Sequence, residues 1–99
     1  MVLEVAEFDI VAGREEAFEA GVREAVALFR AAKGFRGLTL RRIIEKPGTY
    51  RLLVEWETLE DHTVTFRNSE AFQKWRALVG SCFAAAPRVD HCETVVEAR

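Results

Sequence analysis

The residues best suited to chemistry lie between Tyr50 and Phe83. This stretch carries a single histidine, His62, among several aromatic side chains. An imidazole exchanges a proton near neutral pH, so His62 is the candidate catalytic residue, as a base or hydrogen-bond donor in a pocket. The competing interpretation is a structural histidine that is half-buried or at the surface.

Aromatic side chains that could form the walls of a pocket accompany His62. Phe66 follows His62 by four residues and therefore shares its side of a helix, and Trp75 is expected to approach from the next helix. Ligand pockets are mostly apolar with a few placed polar groups, although core packing would also explain such aromatics. The candidate substrate-binding residues are Trp56, Phe66, Arg67, Phe72, Trp75 and Phe83.

Other polar side chains leave alternatives open. Arg76 and either Glu7 or Asp9 could contribute to the pocket. Glu7 and Asp9 lie on the strand face opposite Phe8, and the sequence does not tell which face serves. His91 lies in the middle of the last predicted strand, where we expect a structural histidine at the sheet interface.

Composition and spacing argue against several classes of function. A net charge of −2 gives no electrostatic footprint for nucleic acid. No apolar run is long enough for a membrane span, and the N-terminus does not read as a signal peptide, so we expect a cytoplasmic protein. The two histidines lack metal-ligand spacing, and no phosphate loop or dinucleotide fingerprint is present. Cys82 and Cys92 are expected to be buried free thiols.

The periodicity of the apolar residues predicts the elements that must position these side chains. Alternation predicts strands at 2–10, 35–45, 50–57 and 89–96, and helical spacing predicts helices at 14–33, 58–67 and 70–79. Thr58 and Ser69 are expected to be the N-caps of the last two helices. The chain of 99 residues suits one domain, residues 1–99.

The element order β-α-β-β-α-β is that of a ferredoxin-like α+β fold, a four-stranded antiparallel sheet with its helices on one face. The uncovered face still carries apolar residues, among them Leu53 and Ile43. We therefore expect a homodimer in which two sheets pack face to face.

Three segments resemble the antibiotic biosynthesis monooxygenase family. Residues 56–62 read WETLEDH, residues 66–72 read FRNSEAF, and residues 87–91 read PRVDH. The resemblance implies a dimeric α/β barrel with a pocket between helices and sheet in each subunit. It also implies a cofactor-independent monooxygenase, without metal or flavin, acting on a small aromatic such as an anthrone or a quinol.

One branch of that family degrades haem, and this sequence departs from its pattern. That branch has an Asn on the first strand, where Glu7 and Asp9 stand here, and a Trp in the helix, near Phe66. Its His falls near Trp75 or Arg76. The sequence therefore favours an oxygenase without haem. The alternatives are a small-molecule binding or regulatory module and a plain dimerisation domain with a filled core.

Overall fold

The computed structural model describes residues 1–99, and its element order confirms the predicted ferredoxin-like fold. No helix combines the length and the apolar composition that crossing a bilayer requires. The elements are β1 (Val2–Asp9), α1 (Glu15–Arg30), β2 (Phe35–Arg42), β3 (Thr49–Trp56), a π-helical segment (Asp61–Phe66), α2 (Glu70–Val79), a 3₁₀ turn (Gly80–Cys82) and β4 (Arg88–Cys92).

The four strands form one antiparallel sheet in the order β2-β3-β1-β4. Successive side chains of a strand point to opposite faces, so β1 directs Glu4, Ala6 and Phe8 toward the helices. In the register of the sheet, Glu4 lies opposite Val54 of β3 and His91 of β4. The first and last strands therefore bring Glu4 and His91 side by side on the covered face.

The core lies between the covered face and the helices. Its largest fully buried side chains are aromatic, and their burial is the main stabilising contribution to the fold. The fully buried residues of large volume include Trp56, Tyr50, Phe18 and Phe29. Of these residues, Phe29 also lines the cavity described below.

Local signals in the sequence set the helix boundaries around His62. The Thr58 hydroxyl accepts a hydrogen bond from the Asp61 backbone at 3.1 Å, and the Ser69 hydroxyl accepts one from Phe72 at 3.2 Å. Both predicted caps are confirmed. Gly34 has a φ of +80°, and a Cβ at this position would overlap the Asp61 carboxylate. The chain before β2 can therefore pass under the π-helical segment only with glycine there.

The last strand is shorter than predicted. The prediction of a strand at 89–96 is wrong beyond Cys92, because β4 pairs only with β1 and Cys92 already lies opposite Leu3. β1 begins at Val2, so the later residues have no partner strand. Cys92 is also exposed, in contrast to the expected buried thiol, whereas Cys82 is buried as expected.

Candidate active site

A cavity of about 380 Å³ lies between the helices and the covered face of the sheet. This volume falls within the range of small-molecule sites, which are concave and mostly apolar. Its lining is mainly hydrophobic with a few polar groups. The predicted site residues His62, Phe66, Arg67, Phe72, Trp75 and Phe83 all line it.

Aromatic rings build the walls of the cavity. Phe8 stacks on Phe83 with their centroids 5.2 Å apart, and Trp75 meets the Phe8 ring edge-on at 6.2 Å. Phe66 and Phe72 meet edge-on at 5.9 Å. The rings hold one another in place, so the cavity presents flat apolar surfaces of the kind on which a planar ring can stack.

The π-helical segment places His62 in the lining of the cavity. The backbone N–H of Arg67 donates to the His62 carbonyl five residues earlier, which widens the turn. His62 is 3% exposed, and its ring stacks on Trp56 with centroids 5.4 Å apart. The predicted neighbour Trp75 lines the same cavity, but the ring that stacks on His62 belongs to Trp56.

Both nitrogens of the His62 ring have partners. Nδ1 lies 2.8 Å from Nε2 of His91, and Nε2 lies 3.3 Å from Oε1 of Glu4. The His91 position differs from the expectation: in register with Glu4, it lies on the covered face of the sheet. His62 is therefore the middle member of a row Glu4–His62–His91.

Glu4 is the buried carboxyl group of the cavity. It is 6% exposed, and its Oε1 accepts a hydrogen bond of 3.0 Å from the indole N–H of Trp56. Burial raises the pKa of Glu4 to about 7, against the lowering effects of the Trp56 hydrogen bond and of the Arg67 charge. A carboxyl group with this pKa is present in both protonation states at neutral pH and can accept or donate a proton.

His62 is neutral under the same conditions. Burial, together with the positive charge of Arg67 and the neighbouring His91, lowers its pKa to about 4. Burial likewise lowers the pKa of His91. The neutral His62 ring therefore lies between the two groups, hydrogen-bonded to His91 through Nδ1 and 3.3 Å from the Glu4 carboxyl group at Nε2.

Two arginines bring positive charge to the cavity. Arg67 and Arg76 both line it while remaining exposed to solvent. The Arg76 guanidinium lies over the Phe72 ring, 6.0 Å from its centroid. A ligand that becomes anionic inside the cavity would be stabilised by these charges. No group of three or more His, Cys, Asp or Glu side chains is arranged to hold a metal ion.

Some sequence candidates lie elsewhere. Trp56 is fully buried and does not line the cavity; it lies behind Glu4 and His62 and contacts both. Glu7 and Asp9 are on the uncovered face, where both bind Arg88. Neither Glu7 nor Asp9 therefore contributes to the cavity, because the even-numbered residues of β1 face it.

Glu4 is the site residue that reasoning from the sequence missed. A signal was present: the inward-facing row of β1 is apolar at Val2, Ala6, Phe8 and Ile10, and Glu4 interrupts it. Buried carboxyl groups are rare unless they have partners or a function.

Comparison with known proteins places the chain in a family. The sequence matches the antibiotic biosynthesis monooxygenase family over residues 1–78. The chain therefore belongs to the antibiotic biosynthesis monooxygenase family.

Individual relatives agree with this assignment over nearly the whole chain. The uncharacterized Bacillus subtilis protein YczJ is 41% identical over 95 residues, which cover 96% of this chain and all of YczJ. A crystal structure of a family protein from Bordetella bronchiseptica shares 48% identity at a TM-score of 0.94, covering 96% of this chain and 97% of its own. Mycobacterium tuberculosis Rv0793, at 21% identity and a TM-score of 0.80 over 99% and 98% of the two chains, shares the fold.

Proposed function

We propose that this protein is a cofactor-independent monooxygenase that oxidises a flat phenolic compound, such as an anthrone or a hydroquinone, in the cavity. The observation that carries the proposal is a buried carboxyl group with a pKa of about 7 in an aromatic-walled cavity. Membership of the family supports the reaction class.

The cavity suits such a ligand in shape and in charge. Ring faces of Phe66, Phe72 and Phe83 offer stacking surfaces to a planar molecule. Arg67 and Arg76 would stabilise the phenolate that forms when the ligand loses a proton. A largely apolar lining excludes water from the reacting carbon, which strengthens these electrostatic interactions.

Glu4, supported by His62, acts as the proton acceptor. Oε1 of Glu4 is engaged by Trp56 and faces His62, while Oε2 makes no hydrogen bond within the protein. Oε2 is therefore the atom available to a ligand. Both His62 nitrogens already have partners, so the base predicted at His62 works through Glu4 rather than by direct contact.

The reaction balances with dioxygen as the only co-reactant. With an anthrone as substrate, Glu4 takes a proton from the methylene group, and the electron pair stays on the substrate as a delocalised carbanion. The carbanion forms a bond to dioxygen, and the resulting peroxide anion takes the proton back. Glu4 then removes the second methylene proton as the O–O bond breaks, a carbonyl forms, and the departing hydroxide leaves with that proton as water.

Oxygen uptake tests this proposal. Chelator-treated, flavin-free protein is expected to consume one dioxygen per substrate with a panel of anthrones and hydroquinones. Glu4→Gln should abolish the uptake while His62→Gln lowers it. Glu7→Gln is the matched control, because Glu7 lies on the same strand but on the opposite face. Uptake that is equal in wild type and in Glu4→Gln would contradict the role of Glu4.

A second candidate function uses the same cavity without turnover. Oε2 of Glu4 could simply hydrogen-bond a phenolic ligand, as in a binding or regulatory module. This alternative predicts that panel compounds raise Tm without consuming oxygen. Ligand-induced stabilisation that persists in Glu4→Gln, with no uptake in the wild type, would favour it.

We also propose that a second copy of the chain covers the uncovered face of the sheet. Leu3, Val5 and Leu53 lie there, half-buried in the single chain. Light scattering is expected to give twice the chain mass of 11.2 kDa. Leu53→Lys should yield a monomer, whereas Val64→Lys, on the exposed side of the π-helical segment, should not. A monomeric wild type at micromolar concentration would contradict the proposal.

A further inference from the structure

We propose that His62 and His91 form a proton relay that joins Glu4, in the cavity, to solvent at the far side of the cavity wall. His91 does not line the cavity, and it is only half-buried at the edge strand β4. Glu4 can thus exchange its proton through a route that a bound ligand does not block.

The geometry is a continuous row of groups that can transfer protons. Oε1 of Glu4 lies 3.3 Å from Nε2 of His62, and Nδ1 of His62 lies 2.8 Å from Nε2 of His91. Nδ1 of His91 has no hydrogen-bond partner in the protein. Stacking on Trp56 fixes the orientation of the His62 ring between its two partners.

The protonation state of Glu4 dictates where both neutral rings carry their hydrogen. When Glu4 is ionised, its carboxylate must face an N–H, so His62 carries hydrogen on Nε2 and accepts at Nδ1 from Nε2–H of His91. When Glu4 is protonated, His62 accepts at Nε2 and donates from Nδ1, so His91 carries hydrogen on Nδ1. A proton that enters at Nδ1 of His91 therefore appears on Glu4, with both rings neutral before and after.

The charged groups around the row come from several elements. Arg67, after the π-helical segment, lowers the pKa of Glu4 and of both histidines. Asp90 on β4 acts in the opposite direction on the pKa of His91. Arg76 of α2 lines the cavity. None of these side chains lies between the members of the row, so the charge of Glu4 remains what determines the tautomer of both histidine rings.

The value of the relay to catalysis rests on the proposed function. The proton that Glu4 takes from the substrate on Oε2 reaches Oε1 by rotation of the carboxyl group. From there it can leave through His62 and His91 before the carbanion reacts with dioxygen. One proton returns by the same path when the peroxide anion is protonated, so none accumulates over a cycle. Glu4 is then ionised again without water having to enter the cavity.

Nitrogen-15 NMR of the two histidine rings tests the relay without any substrate. The chain has only His62 and His91, so both rings can be assigned. Between pH 5.5 and 8.5, both are expected to move their hydrogen from Nδ1 to Nε2 together, with one midpoint near the Glu4 pKa of about 7. Glu4→Gln should abolish the switch, and Glu7→Gln should retain it.

Rings that keep one tautomer throughout, or that switch at different midpoints, would overturn the relay whether or not the protein is an oxygenase. If Glu4→Gln does not fold, the presence or absence of a common midpoint in the wild type still tests the relay. Where wild-type turnover is found, His91→Ala should lower kcat at least fivefold with little change in KM. Added 4-methylimidazole should restore the kcat of His91→Ala in a saturable way, whereas it should not restore turnover in Glu4→Gln. If it does not restore the kcat of His91→Ala, His91 has only a packing role.

Discussion

Two carboxyl groups of β1, Glu4 and Glu7, show how strongly the two faces of the sheet differ. They are three residues apart on one strand and point to opposite sides. Burial raises the pKa of Glu4 to about 7. Hydrogen bonds from Arg88 and Arg51 lower the pKa of Glu7.

This difference separates a carboxyl group that can exchange a proton near neutral pH from one that forms ion pairs. A carboxyl group that is ionised at all physiological pH values, as Glu7 is, forms ion pairs but has little tendency to accept a proton. Glu4, held by Trp56 and His62 in an apolar cavity, changes its protonation state near neutral pH. Successive side chains of a strand point to opposite faces, so position along β1, rather than residue type, determines the environment of each carboxyl group.

The largest expected effect follows from removing the carboxyl group on the cavity side. Glu4→Gln should lower turnover roughly a hundredfold to ten-thousandfold, the usual contribution of a general base. Glu7→Gln should leave turnover unchanged. Steady-state oxygen uptake measures both, and circular dichroism checks that each variant folds. Equal losses in the two variants would remove the distinction between the faces.

A smaller effect is expected when the hydrogen bond to Glu4 is removed. Trp56→Phe keeps an aromatic ring against His62 but deletes the N–H donor, so the pKa of Glu4 should rise further above 7. A hydrogen bond to a charged group contributes about 1.5 kcal/mol, which corresponds to a pKa rise of about one unit. The ionised fraction of Glu4 at pH 7, and with it the rate, should therefore fall by roughly sevenfold. At pH 9, where Glu4 is ionised in both proteins, the rates should converge. A pH–rate profile that does not move would contradict this role of Trp56.

The dependence of stability on pH offers a third test. The raised pKa of Glu4 makes stability fall as pH rises from 4.5 to about 7, because the folded protein holds a proton that the unfolded chain has released. The lowered pKa of His62 makes stability fall as pH drops from 6.5 to about 4, because the unfolded chain takes up a proton first. The two slopes oppose each other, so the free energy of unfolding of the wild type should change little between pH 4.5 and 6.5.

Glu4→Gln should expose the contributions of the two histidines, of which that of His62 is the larger. In this variant, urea denaturation is expected to show a loss of stability on the order of 3 kcal/mol between pH 6.5 and 4. His62→Gln should show the opposite slope, with stability falling as pH rises. A Glu4→Gln protein with a flat profile would show that burial does not govern His62.

The smallest effect belongs to the uncovered face. Arg88→Gln removes the partner that Glu7 and Asp9 share, so the pKa of each carboxyl group should rise toward its usual value. Glu7, Asp9 and Arg88 lie on the face of the sheet opposite the cavity, so turnover should hardly change. Carbon-13 NMR of the carboxyl groups and oxygen uptake measure the two expectations. A large loss of turnover would mean that this face contributes to the active site.

Most of the fold was predictable because its signals are local. Alternation located the strands, helical spacing and the caps Thr58 and Ser69 located the helices, and the element order then determined the topology. The end of β4 was not predictable in this way. Residues 93–96 alternate like a strand, but the partner strand β1 ends first, which is a fact of register rather than of local sequence.

The site was predictable in its parts but not in its arrangement. The cavity contains the expected aromatics and His62, because helix spacing brings them to one side. The row Glu4–His62–His91 joins residues that lie 58 and 29 positions apart in the chain. Only the pairing of β1 with β4 places Glu4 opposite His91. Sequence spacing carries no signal for that contact. The sequence shows only a single glutamate, Glu4, among the apolar inward-facing residues of β1.

A pH titration of the Glu4 carboxyl carbon by carbon-13 NMR tests directly whether Glu4 is a buried proton acceptor. The signal can be assigned by its absence from Glu4→Gln, and Glu7 in the same spectrum serves as an internal reference. A buried proton acceptor in the cavity requires a Glu4 midpoint near 7, with Glu7 titrating below 4.5. If Glu4 instead titrates at or below 4.5, as Glu7 does, Glu4 is not a proton acceptor poised near neutral pH.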